Sequence, residues 1–347
     1  MSRRFVETLT RSATTLDTVE REVDELEKDL SDTICPQMSS SHVKFDPYSE
    51  SFIFSFIDKD NLREDLYLTV FSLSQLCSKV GVPVIYVYKC LDTHEDWAIS
   101  LITNNINEWL ERNTSENLLI RKYKNTVRGI LTEKYTTFDS PDIIKGLKLG
   151  LSRVSEDFRV TDYLVSPERL HIRLIRKTPI KSLDEDLYTG LIINSSDVGR
   201  SSISFEYFVY KQVCTNGLIA KVRVGQGFRK VHLGSIEEIA DGFSDAVSYI
   251  DEYEEVMAKL ISNAKTKDYS ETLRNPESEA YEKLTNMIKT QTGLSSNAVM
   301  DVLAVMTTKY GTDNWALVNA ITEEAQKYTL DRRVLLEKAA GHILTIS

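Results

Sequence analysis

The residues that most often announce chemistry are sparse in this chain. Its four cysteines, Cys35, Cys77, Cys90 and Cys214, form no C-x-x-C pair, so a zinc site would have to be assembled from distant segments. A disulfide framework belongs to small secreted chains, and buried free thiols are the expectation. No stretch approaches the roughly 18 to 20 uninterrupted apolar residues that span a bilayer. The opening MSRRFVETLTRSATT lacks the apolar centre of a signal peptide. These absences predict a soluble protein of the host cell cytoplasm, with no membrane partner.

Catalytic motifs are equally scarce. Gly225-Gln226-Gly227 are the only closely spaced glycines of the basic middle, and no helix with a lysine and a hydroxyl follows, so they read as a turn between strands. There is no Walker A motif. The five histidines, His42, His94, His171, His232 and His342, sit in no pattern that supplies a base or a metal ligand. His94-Glu95-Asp96 reads as a helix start, where carboxylates favour the positive end of the dipole. Asp184, Glu185, Asp186 and Asp197 are acidic and near strands, as a metal-dependent nuclease requires, but acids in loops are usually hydrated charge. The expectation is a non-enzymatic protein without cofactor or metal.

What the chain does have is an apolar content of 41%, enough for a substantial core, and an uneven charge. The net charge of −10 divides into −10 for residues 1–118, +8 for 119–234 and −8 for 235–347. A basic third between acidic flanks suggests an anion-binding surface.

Hydrophobic spacing gives the organisation. Leu9, Leu16, Val23 and Leu30 fall seven apart with Val19 and Leu26 interleaved, which predicts one amphipathic helix through the first thirty residues, docked on the body of the chain. Phe52 to Ile57 reads as a strand, Leu62 to Val80 as a helix, Pro83 to Tyr88 as either, and 94–112 as a helix. Leu118 to Thr132 alternates around a Lys124-Asn125 turn, and Ser140-Pro141 caps and opens a helix through Leu149. Ser202 to Cys214 and Leu218 to Val224 read as strands flanking the hairpin dipeptide Asn216-Gly217. From Ser235 onward the pattern is helical: Ile236, Ile239, Phe243, Val247 and Ile250 form a stripe, and a helix over Val299–Tyr310 is capped near Ser295 and ended by Gly311. The reading is an α+β fold, with a central, mostly antiparallel basic sheet, N-terminal helices and a C-terminal helical cluster. Its expected units are residues 1–34, 35–117, 118–234 and 235–347.

The strongest functional signal is the mixture of cations and aromatics in the middle. Arg121, Lys122, Lys124, Arg128, Lys134, Tyr135, His171, Arg173, Arg176, Lys177, Lys221, Arg223, Arg229 and Lys230 form the candidate nucleic-acid-binding set, with cations tracking phosphates and rings stacking bases. Leu170, Ile172 and Leu174 alternate with His171 and Arg173, so the first three are expected inward and Arg173 outward with His171, the cationic edge continuing through Arg176 and Lys177.

Three segments carry a family resemblance: Val127-Arg128-Gly129-Ile130-Leu131-Thr132-Glu133-Lys134-Tyr135; Asn194-Ser195-Ser196-Asp197-Val198-Gly199-Arg200-Ser201 followed by Val213-Cys214-Thr215-Asn216-Gly217; and Trp315 to Thr322 ahead of Arg332 and Arg333. Over about residues 118–345 the chain resembles a phage- and plasmid-borne family, domain of unknown function 932. The resemblance brings no catalytic residue set. It implies a mobile-element setting in which strand-rich basic proteins anneal single strands as rings. The leading expectation is a homo-oligomeric single-stranded DNA-binding protein of recombination or replication. The alternative is a non-enzymatic interaction protein that binds a host or phage protein, as a defence inhibitor or an assembly factor.

Overall fold

In the computed structural model the described residues are 10–113, 117–135, 137–181, 183, 185–211, 216–219, 229–230 and 235–346. The first turn of events departs from the expected long helix. Thr10–Thr14 is a strand, β1, Leu16–Glu27 a helix, α1, and Leu30–Cys35 a second strand, β2. Leu16, Val19 and Val23 are buried, so within this helix the helical spacing marks a docked face, while Leu9 lies outside the described residues. Leu30 departs from it because the backbone from 30 to 35 pairs with a later strand, and sheet hydrogen bonds override a local helical pattern.

The next strands are β3 (His42–Asp46), β4 (Ser51–Ile57) and β5 (Arg63–Leu68), followed by helices α2 (Val70–Val80), α3 (Val84–Leu91) and α4 (Asp96–Arg112). The helix expected from Leu62 therefore starts late. Leu66 and Leu68 alternate with exposed or half-buried neighbours as a strand does, and Thr69 then opens α2. The Thr69 hydroxyl accepts the Ser72 N–H at 3.0 Å, and the Ser72 hydroxyl accepts the Thr69 N–H at 2.9 Å. The ambiguous segment after Pro83 is helical, and the Tyr88 hydroxyl donates to the Val70 carbonyl at 3.1 Å.

Two strands, β6 (Leu118–Tyr123) and β7 (Thr126–Thr132), turn at Lys124-Asn125 as the alternation predicts. They complete a six-stranded sheet in the order β2-β6-β7-β5-β4-β3, antiparallel except where β5 meets β7. The edge strand β3 is covered by α4. Asn107 accepts from the Val43 N–H at 2.7 Å and donates to its carbonyl at 2.9 Å, standing in for a further strand.

The second half begins with α5 (Ser140–Arg153) and continues through β8 (Phe158–Val165), β9 (Leu170–Arg176), β10 (Leu187–Ser195), β11 (Ile203–Lys211), β12 (Asn216–Leu218) and β13 (Arg229–Lys230). Asp139, not Ser140, occupies the cap position of α5, and Pro141 lies in its first turn. With β1 these strands form a seven-stranded sheet, β1-β8-β9-β10-β11-β12, to which β13 adds beside β11. The strands of 118–234 are thus shared between two sheets.

Helices close the fold: α6 (Ile236–Ser248), α7 (Ile250–Thr266), α8 (Ser270–Arg274), α9 (Glu279–Thr292), α10 (Ser296–Val305), α11 (Asn314–Ala325) and α12 (Leu330–Thr345), with a π-helical turn at Met306–Tyr310 before Gly311. Ser295 caps α10 as expected. One face of the second sheet, with Ile172, Leu174, Leu191, Ile193 and Phe205, packs under α1, α5 and α6. Ile175, Ile192, Phe208 and Tyr210 alternate onto the other face and meet Val334 of α12. Both faces are therefore covered. Among the described residues, no helix is long and apolar enough to cross a membrane. Cys35, Cys77 and Cys90 are buried free thiols, while Cys214 lies outside the described residues.

Candidate functional site

Coverage of the second face decides the fate of the predicted cationic edge. The alternation of β9 is as expected, with Leu170, Ile172 and Leu174 buried on one side, but the opposite side meets α12 instead of water. Arg173 is 0% exposed and His171 2%, so the outward placement of both is overturned. The Arg173 guanidinium holds the two carboxylate oxygens of Glu337 at 3.1 and 2.6 Å, faces Asp162 at 3.5 Å and lies 5.5 Å over the Phe208 ring. Glu337 is also bonded by Arg333, one turn earlier on α12, at 2.9 Å. The nearby His171 ring bonds Asn194 through Nδ1 at 2.7 Å, and its Nε2 accepts from Arg173 Nε at 3.2 Å. Nε2 is therefore unprotonated. Burial, reinforced by the Arg173 charge, pushes the His171 pKa down to about 3.

Burial opposes the charge on Arg173 as well, but Glu337 and Asp162 outweigh it and raise its pKa. For Arg333 burial prevails, aided by repulsion from Arg173, and the shift is downward. Two arginines and two carboxylates balance in formal charge. Asp162 Oδ1 and Arg333 Nη1 nonetheless have no hydrogen-bond partner among the described residues. Such an arrangement is intolerant of losing one member.

A second buried cluster joins the two sheets. Arg121 of β6, 1% exposed, bonds Asp32 of β2 at 3.1 and 3.2 Å, Asp139 before α5 at 2.7 Å, and the Asp197 carbonyl at 2.5 Å. Arg128 of β7 bonds the Pro167 carbonyl at 2.9 Å and faces Asp197 at 3.6 Å. The Ser140 hydroxyl lies 3.1 Å from both Asp197 oxygens. Asp197 is 2% exposed, so its expected place as hydrated loop charge is also overturned. Its pKa is raised by burial first and by Asp139 second. The glycine between Arg128 and Ile130 is needed here: a Cβ on Gly129 would sit 2.8 Å from Val198 Cβ. Gln75 of α2 completes the joint, bonding the Val198 carbonyl and the Ile130 N–H, each at 2.8 Å. Two of the three segments that carry the family resemblance thus pack against one another.

The other predicted residues divide. Lys122 bonds Glu64 at 2.9 Å, Lys124 pairs with Asp29 at 3.1 Å, and Arg176 holds Asp251 at 2.6 Å and Glu254 at 3.1 Å. Lys177 is exposed and 3.4 Å from Asp157; Lys134 is exposed on the turn after β7, beside a half-buried Tyr135 whose pKa burial raises to about 12. Arg229 and Lys230 form β13, opposite Ser204 and Ile203, with side chains outside the description. Lys221, Arg223 and the Gly225-Gln226-Gly227 turn lie outside the described residues.

Sequence reasoning missed the acids that meet these cations. Asp32, Asp139, Asp162, Asp251 and Glu337 come from five separate elements or loops, and no local pattern marks them as partners. The asymmetry of charge is the one trace of them in the sequence, and it is equally what an anionic ligand would require. Glu185 shows the same habit: it binds Lys211 at 2.8 Å, Lys265 at 2.6 Å and the Trp315 indole N–H at 3.0 Å.

These features define a two-sheet α+β protein whose sheets are joined to each other and to the last helices through buried arginine–carboxylate clusters. Residues 129–341 match the family described as Domain of unknown function (DUF932), and the chain belongs to that family. No curated protein and no solved structure matches the chain. The match opens at Gly129, which receives Val198, and extends past Glu337, so the Arg173 cluster lies within it while Arg121, Arg128 and Asp32 lie before it.

Proposed function

We propose that the protein binds single-stranded nucleic acid, without chemistry, along the β12–β13 edge of the seven-stranded sheet. In a phage or mobile element this activity would serve recombination or replication, with strand annealing by a homo-oligomer as its simplest form. One observation carries the reading. Residues 212–236 contain Lys221, Arg223, Arg229 and Lys230 and no acidic residue, whereas Arg121, Lys122, Arg173 and Arg176 are each held by a carboxylate. Both ends of that segment pair with one strand, β12 with Val209–Lys211 and β13 with Ile203–Ser204. A stretch that carries four cations and no acid of its own, anchored at both ends to one strand, is suited to phosphates.

The test is anisotropy of a labelled oligonucleotide across salt concentrations. If all four cations neutralise phosphates, log K should fall against log salt with a slope of about −3, taking about 0.7 per single-strand contact. The K221E/R223E/R229E/K230E variant should lose binding, and K177E should retain it. Absence of low-salt binding, or an unchanged slope in the fourfold variant, refutes the reading.

A second reading, an interaction protein that occupies a host or phage protein, is supported by the acidic balance of −10 together with exposed tryptophans, Trp97 at 65% and Trp109 at 53%. Recovery of one stoichiometric protein that survives nuclease treatment would favour it over the first.

A further inference from the structure

Helix α4 uses one face to cover the first sheet, burying Ala98, Ile102, Ile106 and Leu110. Among the polar residues of its outer surface it also exposes three large apolar side chains, Trp97, Leu101 and Trp109. Trp97, Leu101, Asn105 and Trp109 follow at four-residue intervals, the spacing that aligns side chains into one ridge. The ridge is open to solvent, with Leu101 46% exposed between the two tryptophans, and Ile85 of the preceding α3 is 80% exposed. Nothing in the fold of the lobe requires large apolar side chains there, since the sheet is already covered by the opposite face.

Charge around the ridge selects what can cover it. Residues 92–112 carry Asp92, Glu95, Asp96, Glu108 and Glu111 against one arginine, Arg112, and His94, and the arginine is bonded to Glu108 at 2.9 Å. Phosphate is repelled by such a border. A second copy of the same face is disfavoured too, because an isologous contact sets this acidic border against itself. An indole face in water attracts lysine and arginine, and the neighbouring carboxylates attract them again.

We propose that the outer ridge of α4 is a docking surface for a cationic amphipathic helix of a partner protein. The partner's apolar residues lie along Trp97, Leu101 and Trp109, and its lysines or arginines meet Asp96, Glu108 and Glu111. This rests on the second reading of function, to which it gives a location and a partner chemistry. The surface precedes the DUF932 match at residues 129–341, so partner choice is set by a part of the chain that the match does not cover.

The full-length protein is tested with two synthetic helical peptides of identical leucine spacing, one with lysine and one with glutamate at every polar position. Acrylamide quenching reports the ridge, because Trp315 is only 6% exposed and Trp97 and Trp109 are the accessible indoles. The lysine peptide should remove more than half of the quenchable signal, the glutamate peptide should remove none, and added salt should reverse the protection. The W97A/W109A variant should melt as the parent does and bind a labelled lysine peptide at least about tenfold more weakly, as expected of aromatic anchors. Equal protection by both peptides, protection by neither, protection that grows with protein concentration alone, or unchanged peptide affinity in the variant each overturns the proposal. A nuclease-resistant partner that binds W97A/W109A as well as the parent would leave the second reading standing and sink this one.

Discussion

Replacing Arg173 by methionine separates a structural from a surface role for the cation at the centre of β9. The side chain is 0% exposed and bonds both oxygens of Glu337. Methionine keeps much of the aliphatic volume and removes the charge. Glu337 then keeps Arg333 at 2.9 Å, but Asp162, whose Oδ1 already has no hydrogen-bond partner among the described residues, loses the guanidinium 3.5 Å away. Breaking a buried pair from one side costs about 3 to 5 kcal/mol, against a total stability of about 5 to 15 kcal/mol for a typical domain. R173M should therefore unfold at clearly lower urea concentration, with an unchanged slope. K177E, at an exposed position on the same edge, should stay within about 0.5 kcal/mol of the parent. The R173M/D162N double variant should be less destabilised than the sum of its singles by about 1 kcal/mol or more, since it leaves no orphaned carboxylate. A loss below about 1 kcal/mol for R173M, comparable to a surface change, would refute the assignment of this arginine to the core.

His171 gives a pH signature. Its folded pKa of about 3 lies below the unfolded value near 6.5, so the unfolded chain takes up the proton first and stability falls as pH drops from about 6.5 toward 3. Between pH 7.5 and 5 that loss is about 2 kcal/mol at 1.36 kcal/mol per pH unit; urea melts of the parent and H171Q should diverge in this window and run parallel above it. Gly129→Ala should cost about 1 to 3 kcal/mol by overpacking against Val198, and Val198→Ala in the same chain should restore part of it, as read from paired denaturation curves. Asn107→Ala uncovers the Val43 N–H and carbonyl on the β3 edge, so a loss of about 1 to 2 kcal/mol is expected, together with concentration-dependent association in light scattering.

Local signals were legible where they were decisive locally. The β6–β7 turn, the α5 start with Pro141, the Ser295 cap and the alternation of β9 all follow from residues within a few positions of one another. Structure departs from local pattern where a distant segment decides. Leu30 fits a helical heptad, yet β6 recruits it into a sheet, and Leu66 and Leu68 are claimed by β4 and β7 before Thr69 starts the helix. At Arg173 the period holds and the environment differs: an alternating strand shows which residues share a face, but not whether water or another element lies beyond it. Nothing in the sequence near residue 173 announces that α12, more than 150 positions later, supplies Glu337.

The segregation of charge along the chain then acquires a physical reason that needs no ligand. Cations of the basic middle meet acids of both flanks: Arg121 with Asp32, Lys148 with Asp17 and Glu20, Arg153 with Asp241, Arg169 and Arg200 with Asp331, and Arg176 with Asp251. Like charge within each third discourages that third from closing on itself, and opposite charge between thirds favours the assembled arrangement. The exposed pairs among these contribute little individually, so the specificity of assembly rests on the two buried clusters, where a wrong neighbour would strand an arginine. The two clusters differ in how they relate to the family. The Arg173–Glu337 cluster lies wholly inside residues 129–341, whereas the Arg121 cluster draws Asp32, Arg121 and Arg128 from before the match and Asp139 and Asp197 from within it. The attachment of α12 is thus contained in the DUF932 segment itself, while the first lobe is attached through residues contributed from both sides of its boundary. A changed first lobe could keep this joint only by preserving the cations that meet Asp139 and Asp197, and the cation that faces the Asp197 carboxylate, Arg128, stands next to Gly129, where the match begins.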